Sequence, residues 1–309
     1  MLIYNPKPWA VILAGGDGTR LQSLTRFISG DTRPKQFCPI FGDRTLLAET
    51  RARLRKFIPP ERTLFVVQDA HQPFYRDQLA DVNPDLILSQ PANKGTAVAI
   101  AFAIGKILAR DREATVAVFP ADHYYNNDGI FLAAVERSCH VVEHNQTSLT
   151  LLGVEAYSPE TEYGWIEPEF DDRDAARVLR FWEKPSLPRA RELLARGCLW
   201  NTFVMIGKAG TFADMIHAAA PGLTESVQPI LRHWTDPRHR RIFSILSPVD
   251  FSHNVLALET GRLLVLPLRG IRWSDLGKPE RVIETLAEAG IRPRWVERFG
   301  GLSNNARTA

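Results

Sequence analysis

Short apolar runs alternate with helical patterns through the first half of the 309-residue chain. Runs rich in β-branched and other apolar residues predict strands, and the first of them, WAVIL, ends directly before a group of glycines. Apolar residues at helical spacing predict the helices between these strands, one of them capped by Asp128. The predicted strands are residues 9–13, 64–67, 86–88, 115–119 and 149–154, and the predicted helices fall near residues 46–58, 97–108 and 130–142.

This alternation is typical of right-handed βαβ units. We therefore predict an α/β fold with a Rossmann-like, mainly parallel sheet flanked by helices. The second half is less regular, with strands expected at residues 177–181, 203–206 and 263–268 and helices at 188–196 and 279–289. We expect a single domain over residues 1–301 and a small, polar, disordered tail at 302–309.

Composition changes this picture mainly by exclusion. The formal charge is +3 and no block of five or six like charges occurs, so we expect no nucleic-acid partner. Cys38, Cys139 and Cys198 are far apart and odd in number, which favours neither a disulfide framework nor a zinc site. We see no signal peptide and no apolar stretch of about 18 residues, so we expect a cytoplasmic protein without a membrane contact. A homo-oligomer is compatible with the sequence.

The strongest chemical signal is the segment AGGDGTRL at residues 14–21, directly after the first strand. Its three glycines in four positions let the backbone turn tightly and present N–H groups to phosphate oxygens. Arg20 adds a planar donor fork that suits a polyphosphate. The segment is not a P-loop, and Leu21 stands where GxGxxG requires its last glycine. A plain glycine-rich turn remains the alternative.

Other candidates are weaker when each is taken alone. Lys35 follows Pro34 on a proline-stiffened loop, where a lysine is usually only a surface residue. Asp122 follows a buried strand, where it could share Mg²⁺ with substrate phosphates or simply cap a loop. Asp275 follows a later strand, but the sequence alone does not bring it near Asp122. His123 is compatible with a metal ligand, a base or a hydrogen-bonded structural residue.

Nine segments, taken in order, resemble the sugar-phosphate nucleotidyltransferase family, and most closely its mannose-1-phosphate guanylyltransferases. They are LAGGDGTRL (13–21), RPKQF (33–37), QPANKGTAVAIA (90–101), FPADH (119–123), EYGWIEP (162–168), FWEKP (181–185), WNTFVM (200–205), FSHNVL (251–256) and WSDLG (273–277). The resemblance spans nearly the whole chain. It implies a GT-A-like nucleotidyltransferase fold with its active site at the carboxyl edge of the sheet.

The resemblance also assigns roles to residues by position. The nucleotide would be bound by Ala14, Gly15, Gly16, Gly18, Thr19, Gln90, Gly95 and Thr96. The sugar phosphate would be bound by Gly164, Glu183, Lys184 and Asn201. Mg²⁺ would be held by Asp122 and Asp275, and the catalytic set would be Arg20, Lys35, Asp122, Lys184 and Asp275.

The implied reaction transfers a nucleoside monophosphate, GMP from GTP, to a hexose 1-phosphate such as mannose 1-phosphate, and releases pyrophosphate. Its nucleophile is already an anion, so cationic side chains and a metal would mainly relieve repulsion between the two substrates. The expected partners are these small molecules. The chain ends without the additional domain of some relatives, from which we expect a single activity.

Several positions depart from the family pattern. Asp17 stands where a small Ser is usual, and its side chain either points away from the phosphates or binds metal. Gly95 stands where Asn is frequent, Thr202-Phe203 replaces Ser-Gly, and residues 27–32 are expected to lengthen a loop. The departures leave open the same chemistry with another pair, such as UTP or dTTP with glucose 1-phosphate, or a regulatory subunit without turnover. A glycosyltransferase would need a DxD motif, which Asp122-His123-Tyr124 does not supply.

Overall fold

The computed structural model describes residues 7–169 and 174–305, with side chains through residue 299. Eleven strands form in this part of the chain, and nine of them join one sheet in the order β3-β2-β1-β4-β9-β6-β10-β8-β7. The strands are β1 (Trp9–Leu13), β2 (Thr63–Gln68), β3 (Ile87–Gln90), β4 (Thr115–Pro120), β5 (Tyr124–Tyr125), β6 (Leu149–Glu155), β7 (Gly164–Glu169), β8 (Ala176–Glu183), β9 (Leu199–Lys208), β10 (Leu263–Leu268) and β11 (Trp273–Ser274).

The structure confirms the predicted α/β class. Seven of the nine strands in the large sheet point in one direction, and four of its nine pairings are parallel. Strand β1 pairs in parallel with β2 and β4, β2 with β3, and β6 with β10. Only β8 and β9 run against the other strands of the nine-stranded sheet. Because β7 pairs with both β8 and β9, strands β6 to β10 close into a ring of five, which the sequence does not predict.

Helices cover both faces of this sheet. They are α1 (Gln22–Ser29), α2 (Leu46–Leu54), α3 (Gln72–Tyr75), α4 (Thr96–Leu108), α5 (Asp128–His144), α6 (Leu187–Ala195), α7 (Ala209–Ala219), α8 (Pro221–Arg232), α9 (Pro237–Ile245), α10 (Pro279–Ala289) and α11 (Arg294–Asn305). Across the described residues, no helix combines the length and apolar character needed to cross a membrane.

Side chains of β1 show how the two apolar layers arise. Val11 points into a core formed with α4, α7 and α8, whereas Ala10 and Ile12 point into a second core with α2 and α5. Successive strand residues face opposite sides, and all three are fully buried, as expected for a central strand covered on both faces. A third apolar cluster joins α1, α10 and α11 beside the sheet.

One expectation outside the sheet is wrong. Residues 27–32 do not simply lengthen a loop, because α1 continues to Ser29 and ends at Gly30, whose φ of 80° is left-handed. Buried Leu24 anchors that helix in the third cluster. Helix α11 runs to Asn305 and Trp295 anchors its first turn, and the expected boundary between domain and tail at residue 301 stays a prediction. Residues 306–309 of the predicted tail lie outside the described residues.

The short strands β5 and β11 determine where the site forms. They pair antiparallel, with Tyr125 opposite Trp273 and Tyr124 opposite Ser274. This pair joins the segment after β4 to the segment after β10, although about 150 residues separate them in the sequence. Asp275 is thereby brought to the edge of the sheet that carries Asp122.

Candidate active site

A cleft of about 470 Å³ opens at the carboxyl ends of β1, β3 and β4. Predicted site residues from every part of the chain meet there. Those that line it are Gly15, Gly16, Arg20, Gln90, Gly95, Thr96, Asp122, Gly164, Glu183, Lys184, Asn201 and Asp275. Ala14, Gly18, Thr19 and Lys35 are not among the lining residues, and Lys35 instead contacts the two aspartates from the side, as described below.

The glycine-rich turn is held in shape from behind by the RPKQF segment. The side-chain amide of Gln36 donates to the carbonyl oxygens of Ala14 at 2.9 Å and Gly16 at 2.8 Å. Gly18 has a φ of 61°, and a Cβ there would lie 3.1 Å from the backbone nitrogen of Lys35. The turn therefore needs glycine at this position, both for its left-handed backbone and for its close approach to the neighbouring segment.

Asp17 points away from the cleft. Its Oδ1 lies 3.1 Å from the Gln68 amide nitrogen and 3.4 Å from His71 Nε2, and its Oδ2 accepts from Asn93 at 3.0 Å. Burial lowers the pKa of His71, so this imidazole is mainly neutral near pH 7. Asp17 is expected either to point away from the phosphates or to bind metal, and these contacts favour the first alternative. Its side chain ties the glycine-rich turn to β2 and to the loop after β3.

Lys35 connects the two aspartates that the sequence could not bring together. Its Nζ lies 3.3 Å from Asp122 Oδ2 and donates to the main-chain oxygen of Asp275. Burial by itself would raise the pKa of Asp275, but the nearby Lys35 ammonium and Arg281 guanidinium outweigh it and hold that pKa below its usual range. Asp275 is therefore ionised at neutral pH.

Of the three roles considered for His123 (metal ligand, base or hydrogen-bonded structural residue), the contacts favour the structural one. The indole N–H of Trp273 donates to His123 Nδ1 at 3.2 Å. An indole nitrogen is only a donor, so Nδ1 must be the acceptor and Nε2 must carry the proton of the neutral ring. Burial lowers the pKa of His123 to about 4, which keeps the ring neutral. Its Nε2–H faces Asp122, with Nε2 lying 3.8 Å from Oδ1.

One end of the cleft carries polar groups on β3 and at the start of α4. Gln90 is only 3% exposed, and its Nε2 has no hydrogen-bond partner among the described residues. The Thr96 hydroxyl accepts from the backbone of Phe251 at 2.8 Å and lies 3.3 Å from Asp250 Oδ2. Asp250 also lines this end of the cleft. A buried amide without a partner is suited to a polar ligand.

The opposite end is built by β7, β8 and β9. Gly164 pairs with Glu183 in the sheet, and a Cβ at position 164 would lie 3.1 Å from Glu183 Oε2 and 3.3 Å from the Cβ of Asn201. Lys184 Nζ lies 3.0 Å from Glu183 Oε1. Phe203 lines the same cleft. This end therefore combines an amide and a carboxylate, which suit hydroxyl groups, with an ammonium, which suits an anion.

Comparison with known proteins identifies the family of this chain. A family model described as nucleotidyl transferase matches residues 9–290. The chain belongs to the nucleotidyl transferase family. Over 290 residues, 91% of its length, the chain is 29% identical to the xanthan biosynthesis protein XanB of Xanthomonas campestris pv. campestris (strain B100). Over 277 residues, 86% of its length, it is 34% identical to the alginate biosynthesis protein AlgA of Pseudomonas aeruginosa.

The matches span 60% of XanB and 56% of AlgA, so the chain covers little more than half of those relatives. Among solved structures, it is similar to a Thermus thermophilus protein described as a mannose-1-phosphate geranyltransferase. The TM-score is 0.78 at 29% identity, with 88% of this chain and 77% of the other covered. The recognised family and the α/β fold are thus confirmed.

Sequence reasoning missed several residues of the candidate site. Asn93, Glu162 and Asp250 all line the cleft, but none was singled out. Glu162 binds the Arg20 guanidinium at 3.0 Å, so the predicted phosphate-binding fork is paired with a carboxylate here. Each of the three lies inside or next to a matching segment, which was the only signal in the sequence that could have found it. Their polar partners come from distant parts of the chain.

Proposed function

We propose that this chain joins a sugar 1-phosphate to a nucleoside triphosphate and releases pyrophosphate, with GTP and mannose 1-phosphate as the preferred pair. The observation that carries the proposal is the single cleft that contains the glycine-rich turn, the aspartate pair with Lys35, and the Gly164–Glu183–Asn201 group. The nucleotide would occupy the half with Gly15, Gly16, Arg20, Gln90, Gly95 and Thr96. The sugar phosphate would occupy the half with Gly164, Glu183, Lys184 and Asn201.

In the proposed reaction, a phosphate oxygen of the sugar 1-phosphate forms a bond to the α-phosphorus of the nucleotide. The bond from the α-phosphorus to the oxygen that bridges the α- and β-phosphates breaks, and pyrophosphate leaves with the electron pair of that bond. The attacking oxygen is already ionised, so no general base is needed. Arg20, Lys35 and Lys184 would offset the negative charge of the two substrates, and the cleft would hold the reacting groups in line.

The two aspartates fit a magnesium ion. Mg²⁺ usually takes one or two protein carboxylates and completes its shell with water and substrate phosphates. Asp122 and Asp275 would hold the ion, and when bound it would neutralise charge on the phosphates.

The test is pyrophosphate release across four nucleoside triphosphates and three hexose 1-phosphates, with and without Mg²⁺. We expect release with GTP and mannose 1-phosphate, together with formation of the nucleotide-sugar. A different winning pair would keep the chemistry and replace the proposed substrates. Phe203 lines the sugar end and motivates the inclusion of glucose 1-phosphate with UTP and dTTP.

The same panel tests the regulatory alternative. No pyrophosphate release from any pair, in a folded chain that still binds a nucleotide-sugar, would contradict an enzyme and favour a binding subunit. Transfer of sugar from a nucleotide-sugar to an acceptor, without pyrophosphate, would instead favour a glycosyltransferase. Equilibrium dialysis with labelled nucleotide-sugar distinguishes binding without turnover from a cleft that does not bind this class of molecule.

A further inference from the structure

Arg281, in the first turn of α10, places a buried guanidinium beside the cleft. Its Nη1 lies 2.6 Å from Asp275 Oδ1, and its Nη2 lies 2.8 Å from Glu160 Oε2 and 3.3 Å from Glu162 Oε2. The guanidinium carbon lies 4.5 Å from the centre of the Tyr163 ring. Arg281 is 7% exposed. One side chain thus joins three carboxylates that belong to two separate segments.

These contacts orient the Asp275 carboxylate. Oδ1 accepts from Arg281, from the backbone N–H of Gly277 at 2.8 Å and from the Tyr163 hydroxyl at 3.2 Å. Among the hydrogen bonds within the described residues, Oδ2 accepts none. With three donors on one oxygen, rotation of the carboxylate would break several bonds at once. The arrangement therefore leaves Oδ2 as the oxygen available to a ligand.

The charge of Arg281 is as important as its hydrogen bonds. A buried carboxylate is costly unless a cation compensates it. Lys35 contacts Asp122 and the main-chain oxygen of Asp275, whereas Arg281 is paired with the Asp275 carboxylate itself. In the part of the chain that the structure describes, no other cation forms an ion pair with that carboxylate. Arg281 is therefore the direct compensating charge.

The network extends to the glycine-rich turn. Glu162 binds Arg281 through Oε2, and its other oxygen binds the Arg20 guanidinium at 3.0 Å. Lys278 also lies 3.2 Å from Glu162 Oε2. In the proposed function Arg20 contacts the nucleotide phosphates and Asp275 the metal. The two residues are thus connected through a single glutamate and Arg281.

We propose that Arg281 is a positioning residue that holds Asp275 so that its Oδ2 receives a divalent cation. Because the cation role of Asp275 is part of the proposed function, this inference rests on that proposal. Arg281 makes no contact with substrate in this scheme and acts through Asp275. Groups that orient a metal-binding side chain typically change metal affinity by roughly 10- to 100-fold when they are removed.

The test compares Mn²⁺ binding to the full chain and to two variants, Arg281→Met and Arg53→Met, by the electron paramagnetic resonance signal of free Mn²⁺. Arg53 is the matched control because it is also 7% exposed and also forms a short ion pair, at 2.7 Å, with Asp128 away from the cleft. We expect Arg281→Met to weaken Mn²⁺ binding by roughly 10- to 100-fold. Arg53→Met should lose stability but keep the affinity of the wild-type chain.

Arg281→Lys keeps the charge but not the planar fork, so it should fold and bind Mn²⁺ with intermediate affinity. It also serves if Arg281→Met does not fold. Wild-type affinity in the folded Arg281 variants, or an equal loss in Arg53→Met, would overturn the positioning role, as would absence of Mn²⁺ binding to the wild-type chain. The two proposals can also fail separately. If Mn²⁺ binding depends on Arg281 but the chain turns over no substrate pair, the positioning role is supported and the proposed function fails.

Discussion

Gly95, at the N-terminus of α4, offers the sharpest test of the cleft geometry. Its φ of 85° and ψ of 169° fall in a region that essentially only glycine adopts. A Cβ at this position would lie 2.4 Å from the carbonyl oxygen of Val249 and 2.9 Å from its carbonyl carbon. No side-chain rotation relieves that overlap, because the opposing atoms are backbone. Gly95→Ala must therefore move one of the two segments.

The expected cost follows from what the movement breaks. The Val249 carbonyl accepts from the backbone N–H of Ala97 at 3.0 Å, and the Val249 N–H donates to the Lys94 carbonyl at 3.0 Å. The unfavourable backbone conformation costs about 1–3 kcal/mol, and each lost hydrogen bond adds about 1 kcal/mol. With both hydrogen bonds lost, the unfolding free energy falls by about 3–5 kcal/mol. Local detachment of the 249–252 segment would cost less.

Urea denaturation and the KM for the nucleotide measure the two consequences. We expect Gly95→Ala to lower the midpoint and to raise the nucleotide KM, because Thr96 and Asp250 at this end of the cleft depend on the same contact. Gly16→Ala is the matched control, since Gly16 lines the cleft but a Cβ there meets no heavy atom within 4 Å. Its stability should stay within about 0.5 kcal/mol of wild type. Equal midpoints for the two variants would refute the reasoning.

Three further predictions test other parts of the site. Lys184 has a left-handed φ of 46°, so Lys184→Asn, which tolerates that conformation, should keep stability within about 1 kcal/mol while selectively raising the KM for sugar 1-phosphate. Lys208→Asn is the control, and a selective rise in nucleotide KM would show that Lys184 is assigned to the wrong substrate. Asp275→Asn keeps the side-chain size and one carbonyl oxygen, so the circular dichroism spectrum should be unchanged. Most turnover should nevertheless be lost. Unchanged turnover at saturating Mg²⁺ would remove Asp275 as a metal ligand. Burial lowers the pKa of His71 in the folded chain. As the pH falls, the unfolded chain therefore protonates this imidazole before the folded chain does. The unfolding free energy should then decrease as the pH drops below about 6.5. Urea midpoints measured against pH should therefore change less steeply in His71→Gln than in the wild-type chain. Equal pH dependence in both proteins would show that His71 is not its cause.

The first half of the fold could be predicted because its signals are local. The strand at residues 9–13 is an uninterrupted apolar run, and the helix at 96–108 repeats apolar residues on several faces because it is buried. The ring of β6 to β10 could not be predicted, since it depends on β7 pairing with two partners at once. Strands β5 and β11 contain two residues each, too few for any periodicity to be visible.

The site shows the same division. The glycine-rich turn and Asp122 follow buried strands, so their place at the edge of a parallel sheet could be expected from local pattern alone. The meeting of Asp275 with Asp122 depends on the β5–β11 pair, and the environment of Asp17 depends on side chains from two other elements. Arg281 lies in an ordinary amphipathic helix, and only the folded chain brings it to Asp275. Long-range contacts of this kind leave no local signature.

Backbone strain connects these observations. In the described residues, positive φ angles outside glycine occur at Lys184, Phe203 and Leu276. Lys184 directly follows Glu183, Phe203 comes two residues after Asn201, and Leu276 directly follows Asp275. A left-handed conformation costs about 1–2 kcal/mol for such residues, so it persists only where other contacts compensate it.

Each strained residue has its amide held by a hydrogen bond. Lys184 N–H donates to the Tyr163 carbonyl at 3.2 Å, Phe203 N–H to Asn201 Oδ1 at 3.0 Å, and Leu276 N–H to Ser274 Oγ at 3.2 Å. Lys184 and Leu276 follow the ends of β8 and β11, whereas Phe203 lies inside β9, where the pairing with β6 is irregular. The fold thus accepts strain at two turns and at one strand irregularity, each beside a residue that lines the cleft: Glu183, Asn201 or Asp275. Strained backbone of this kind clusters at functional sites.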